Sequence, residues 1–199
     1  MHRLAVAGRQ ADIAQDCGTR LGWAWLSWSR FGDVESLATS TLTLGSHATA
    51  LYQRGWARRL IGRPQAALQD YQHALDLHRQ AGDLIGESDT LSNIGMVHIG
   101  SGNHRQALDY FRQTLFIIQE IGYRAGESVT RYNIAMVHEM TGDLDQAVHE
   151  LEQVVELEQV VELDRQIGHP DLSTHTAVLD RMRRQRAEGQ RAESPGLTP

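Results

Sequence analysis

Three amide side chains stand 40 residues apart in this chain: Gln53, Asn93 and Asn133. A carboxamide offers a donor and an acceptor together, so it can pair with a peptide unit whatever side chain that unit carries. Ten histidines raise metal and acid–base chemistry. His73 and His78 are five apart, however, and two ligands align on a helix at three or four. No His-Glu-x-x-His and no Cys-His spacing occurs. His98 and His138 recur 40 apart and are expected to serve packing. Scattered Asp, Glu and His residues form no nucleophile–base constellation. Cys17 is the single cysteine, which leaves no intramolecular disulfide and no cysteine-based zinc motif; it reads as a small apolar filler. The expectation is no catalytic residue, no metal, no cofactor and no enzyme activity.

The amides belong to a larger pattern. From Leu51 to Gly142 the sequence repeats itself at a spacing of 40. Gly62, Gly102 and Gly142 correspond, as do Ala67, Ala107 and Ala147. Gly86-Glu87-Ser88 returns as Gly126-Glu127-Ser128, and the six residues from Asn93 to His98 return almost unchanged from Asn133 to His138. A fixed period of this length marks an array of supersecondary units. A net charge of -6 argues against nucleic acid, which favours a basic face. No apolar run approaches the ~18 residues of a membrane span, and the N-terminus is too short in apolar residues for a signal peptide. A cytoplasmic location is the default.

Taken in order, residues 3–16 are expected to form a helix. Gly18-Thr-Arg-Leu-Gly22 looks like the loops at 82–86 and 122–126, so the chain is expected to begin inside a repeat, at its second helix. Residues 22–31 would then be a shortened helix and 34–44 its partner, with Asp33 as a cap. Trp23, Trp25 and Trp28 are expected to fill the space of the missing turns; the other use is a recognition surface. Residues 1–46 are thus a degenerate repeat region, and 47–168 hold three units. Their helices are expected at 47–61 and 64–81, 84–101 and 104–121, and 125–141 and 144–167. The first helix of each pair ends at a Gly. Leu151–Glu156 is duplicated at once by Leu157–Glu162, which turns the rest of the helix by about 120°. A helix from 144 to 167 should therefore overhang its neighbours. Val154, Val155, Leu157, Val160, Val161 and Leu163 would give it a broad apolar surface. Gly168 should end it. A capping helix is expected within 169–186, started by Asp171 or Ser173, and a disordered tail over 187–199.

The repeat core resembles the tetratricopeptide repeat. Gly55, Gly95 and Ala135 match its small residue in helix A. Ala67, Ala107 and Ala147, then Tyr71, Phe111 and Leu151, then Ala74, Thr114 and Val154 match its helix-B positions, with Val154 a departure. The 40-residue unit is similar to those of kinesin light chains and of bacterial signalling-ATPase sensor arrays; the phosphate-binding loop of an ATPase is missing from this sequence. The resemblance implies an all-α fold, a right-handed α-solenoid of antiparallel helix pairs over a single domain, 1–186. It also implies a concave groove lined by helix A, where Gln53, Asn93 and Asn133 would grip the backbone of an extended peptide. Tyr52, Trp56, Arg59, Ser92, Met96, Tyr132, Met136 and Glu139 would share that groove. Trp56, Met96 and Met136 could form an adaptable apolar strip or simply pack between repeats. The function implied is a protein- or peptide-binding scaffold in a bacterial signalling or regulatory assembly. The alternative is a module that self-associates, as a homodimer, through its end helices or residues 151–163.

Overall fold

A computed structural model describes residues 1–165 and 170–193. Every ordered element among them is a helix: α1 (His2–Ala7), α2 (Ala11–Ser27), α3 (Phe31–Leu42), α4 (Ala48–Leu60), α5 (Pro64–Ala81), α6 (Leu84–Gly100), α7 (His104–Ile121), α8 (Arg124–Thr141), α9 (Leu144–Arg165) and α10 (Pro170–Glu193). The all-α, tetratricopeptide-like class expected from the sequence is the class observed. The chain divides into two compact units, Met1–Ser101 and Gly102–Pro199.

In the first unit, helices adjacent in the chain pack in pairs, and α4 also touches α6. The repeat signature explains the packing. Gly55 and Tyr71 meet where α4 crosses α5; a Cβ added at Gly55 would stand 2.9 Å from the Tyr71 ring. Only a residue without a side chain lets the two backbones approach that closely. Ala67, Tyr71 and Ala74 are fully enclosed. On the flank, Asp70 is a buried carboxylate held by the Arg54 guanidinium at 2.7 and 3.0 Å and by Arg58 at 2.9 Å; Arg58 also reaches Glu35. This network ties α3, α4 and α5 together.

The amino terminus departs from expectation. Residues 3–16 are not one helix: α1 stops at Ala7, Arg9 takes φ 53°, and α2 restarts at Ala11. Helix α2 then runs through Gly18 and Gly22, which are buried helical residues rather than a loop. Gly18 admits His2 and Thr41, whose side chains hydrogen-bond at 2.8 Å, and Gly22 admits the Gln53 carboxamide. No turns are missing. The turn lies at Ser29, with φ 57°, where the next unit has Gly62 with φ 80°. Asp33 is inside α3 and pairs with Arg30 at 2.7 Å instead of capping. Of the three tryptophans expected to pack, Trp25 lies against the core of Leu26, Val34 and Ala57, whereas Trp23 and Trp28 are exposed, at 42% and 68%.

In the second unit α7 packs on α8, α8 on α9, and α9 on α10. Asp143 caps α9, accepting from the Gln146 amide at 3.3 Å. The duplicated segment stays helical, and its described part faces inward at regular intervals. Leu151, Val154 and Glu158 are buried, and Val155 and Leu157 half-buried. Part of the surface expected to overhang is covered instead: Leu179 and Met182 of α10 close a core with Leu151 and Val148, and Val155 packs on it. Helix α10 begins at Pro170, ahead of Asp171 and Ser173, and continues to Glu193, past the expected end at 186. The helix stop at Gly168, the orientations of Val160, Val161 and Leu163, and the tail beyond Glu193 lie outside the described residues.

Candidate functional site

The most developed constellation lies in the first unit, on α2, α4 and α6. Helix α4 places Tyr52 and Trp56 four apart, on one face. Trp23 of α2 meets both, its ring centroid 5.8 Å from each. Tyr52 and Trp56 stand 6.1 Å apart at an interplanar angle of 71°, the edge-to-face arrangement that ring quadrupoles favour. Tyr71 backs Tyr52 at 5.9 Å.

Asn93 locks this cluster. Its Nδ2 donates to the Tyr52 hydroxyl at 2.9 Å and to the Asp89 carbonyl at 3.1 Å, while its Oδ1 faces the Tyr71 hydroxyl at 3.4 Å. The amide expected to meet a ligand is here engaged with two phenols. Burial raises the pKa of Tyr52 and of Tyr71 well above the ordinary phenol value; Asp89 and Tyr71 push Tyr52 further up, and Arg59 opposes the rise at both rings. The phenols therefore remain neutral throughout the physiological range. Arg59 lies beside them with a buried Nε that has no hydrogen-bond partner among the described residues. Ser92 and Met96 are half-buried on α6.

Gln53 points elsewhere. It is 2% exposed and donates to the Thr19 carbonyl at 3.0 Å, which fastens α4 to α2. In the second unit the expected residues lie on α8. The Asn133 side chain is half-buried and makes no hydrogen bond with the described residues. Its neighbours are engaged by α10: the Tyr132 ring lies 4.6 Å from His175, Met136 packs on the core that includes Leu179 and Met182, and Glu139 receives Arg181 at 2.9 Å.

Two contributors escape the sequence pattern. Trp23 belongs to the cluster because α2 is a full helix A. The tripeptide Gly-Trp-Ala at 22–24 and again at 55–57 signals this at a spacing of 33, which a search tuned to 40 passes over. Asp89 has no acidic counterpart, since Val129 stands 40 residues on, and nothing in the sequence distinguishes it. Among the described residues no group of three or more His, Cys, Asp or Glu could hold a metal ion, and no helix is long and apolar enough to cross a membrane.

Residues 86–159 match the tetratricopeptide repeat family. No curated protein matches the sequence. Among solved structures the chain is similar to BtubC (BKLC) from P. vanneervenii, with a TM-score of 0.77 and 18% identity over 99% of this chain and 87% of that one. It is also similar to the nearly identical repeats of a putative kinesin light chain from Podosopora anserina, with TM-score 0.68 and 15% identity over 90% and 89%. A third likeness is to a Signal Transduction ATPase with Numerous Domains from Pyrococcus horikoshii, which has a tetratricopeptide repeat sensor. There the TM-score is 0.66 and the identity 15%, over 78% of this chain and 25% of that one. At these identities the likeness is one of fold.

Proposed function

From the premise that this is a chain of tetratricopeptide repeats, we propose that it is a protein-binding scaffold that holds an extended segment of a partner against the helix-A faces. The aromatic face of α2 and α4, with the adjoining Asn93 and Met96 of α6, is the principal site. One observation carries this reading: Tyr52, held by Asn93 and Tyr71, packs with Trp56 and Trp23 in one aromatic cluster, while Trp23 remains open to solvent. Rings that are already ordered lose little side-chain freedom on binding, so their contact area converts into affinity more fully. In this proposal Tyr52, Trp56 and Met96 receive apolar groups and Ser92 and Arg59 provide polar contacts in the first unit; in the second, Asn133, whose amide makes no hydrogen bond with the described residues, is a separate backbone contact. Gln53 and Asn93 hold the receiving surface in place. Tyr132, Met136 and Glu139 can take part only where α10 gives way. Membership of a signalling or regulatory assembly is the finer part of the proposal, supported by the likeness to an ATPase with a repeat sensor.

A library of displayed peptides panned on the whole chain tests the reading, with the footprint of each selected peptide mapped by backbone amide NMR. The expected footprint covers Tyr52, Trp56, Asn93 and Met96. A library that yields no binder, or binders that perturb only other faces, overturns it. Self-association is the second reading. It is favoured by Phe116, Tyr123 and Val129 of the second unit, each of which is half exposed or more. Molar mass that rises with protein concentration in light scattering would support it.

A further inference from the structure

The aromatic cluster borders a cavity of about 280 Å³ within the first unit. That is below the ~300–1,000 Å³ usual for small-molecule sites and suits a single side chain. One wall is aromatic, formed by Trp23 and Tyr52. Asp83 and Asp89 supply its acidic lining, beside His78. The two carboxylates differ in what they already hold. Asp83 caps α6 by accepting from the Gly86 amide at 2.9 Å and meets His78 Nδ1 at 2.8 Å. The Asp89 carboxylate has no ion pair and no hydrogen bond among the described residues. Crowding by neighbouring atoms, together with the charge of Asp83, raises the Asp89 pKa even though part of the residue reaches solvent; His78 opposes the rise.

We propose that the cavity between Trp23, Tyr52 and Asp89 receives one cationic side chain, a guanidinium or an ammonium, from the segment bound at this face. A cation over an indole or phenol face is attracted by the ring quadrupole. A carboxylate without a partner supplies a charge-assisted hydrogen bond to the same group. The chain already makes the first of these contacts internally, where the Arg30 guanidinium lies 4.8 Å from the Trp25 ring centroid. The overall charge of -6 adds a long-range attraction for a basic segment. The inference rests on the peptide-binding reading and adds the class of residue that the bound segment must carry.

The test uses the whole chain and three capped pentapeptides, Gly-Gly-X-Gly-Gly, with X as arginine, lysine or the uncharged arginine isostere citrulline. The indole NMR signals of Trp23 and Trp56 are followed during titration. The arginine and lysine peptides are expected to shift Trp23 saturably, and the citrulline peptide at least about tenfold more weakly, one charge-assisted contact being of that order. Asp89→Asn should remove the preference for charge, and Trp23→Leu should weaken both cationic peptides; each position is exposed, so both variants keep the fold. Equal titration by arginine and citrulline, or an unchanged preference in Asp89→Asn, overturns the proposal. Displayed peptides that bind at Tyr52 and Asn93 but lack basic residues and ignore Asp89→Asn would sink the cation site while leaving the scaffold reading intact. A cationic pentapeptide that titrates Trp23 when no displayed peptide binds would sustain the cation site and remove the extended-segment reading.

Discussion

The helix-A faces of the two units differ in what already touches them. In the first, Tyr52 is braced by Tyr71 and Asn93 and packs with Trp56 and Trp23, and Trp23 is partly open to solvent. In the second, Tyr132, Met136 and Glu139 carry α10, through His175, Met182 and Arg181. One repeat signature thus yields an ordered, partly open aromatic face in one unit and a face spent on the fold in the other. A residue's position in the repeat gives the direction of its side chain; its neighbours decide whether that side chain is free to bind.

The largest effect expected from breaking this contrast is at the brace. Tyr71→Ala should cost about 3–5 kcal/mol, as emptied aromatic core sites do. All four tryptophans lie in the first unit, so fluorescence-detected urea unfolding reports on that unit directly. A loss below about 1 kcal/mol would mean that Tyr71 does not support the cluster. Next comes the cover. Met182 is fully buried, and Met182→Ala should cost about 2–5 kcal/mol. Amide exchange should rise in α10 and α8 and stay unchanged in α4; uniform acceleration in both units would erase the distinction. Gly55→Ala should cost about 1–3 kcal/mol, since its Cβ would press on the Tyr71 ring. Smaller still is the difference between two residues with the same place in the repeat. Asn93→Ala gives up hydrogen bonds to a phenol and a carbonyl and should cost about 1 kcal/mol, whereas Asn133→Ala should stay within about 0.5 kcal/mol. Equal costs would contradict the engaged and free amides.

A spectroscopic titration sharpens the same contrast. Tyr52 and Tyr71 have raised pKa values, so their phenolate absorbance should appear at higher pH than that of an ordinary tyrosine. The folded state binds these protons more tightly than the unfolded chain does. Stability should therefore be intact below pH ~10 and fall as pH rises beyond it. Tyr71→Phe should reduce that alkaline loss. An unchanged slope would show that the phenols are not shielded from water.

Much of the architecture was legible because a repeat states its own period. The 40-residue spacing placed α4 through α8 within a few residues, and the positions read as helix-B core, Tyr71, Phe111 and Leu151, are fully buried. The amino-terminal unit was not, because glycines serve two purposes. Gly82 and Gly122 end a helix at positive φ, while Gly18 and Gly22 lie inside a helix and let side chains of neighbouring helices approach, and the residue type is the same. The candidate site was half legible: Tyr52, Trp56 and Asn93 come with the repeat, whereas the partner of each polar group does not.

Glu152 and Glu158 show where that boundary falls. They are copies of one residue, six apart, and the duplication is plain in the sequence. So is the turn of about 120° that it imposes, since helix geometry alone requires it. Glu152 is exposed and pairs with Arg183, whereas Glu158 is turned inward and met by Ser128 at 3.0 Å and His175 at 2.6 Å. The sequence by itself determined the helices, their order, the buried small and aromatic positions and the row of amides, because these depend on periodicity along the chain. Only the tertiary structure decided which carboxylates, amides and rings are already satisfied and which are left open. That depends on residues distant in the chain, such as Asn93 for Tyr52 and Ser128 for Glu158, and no local pattern carries it.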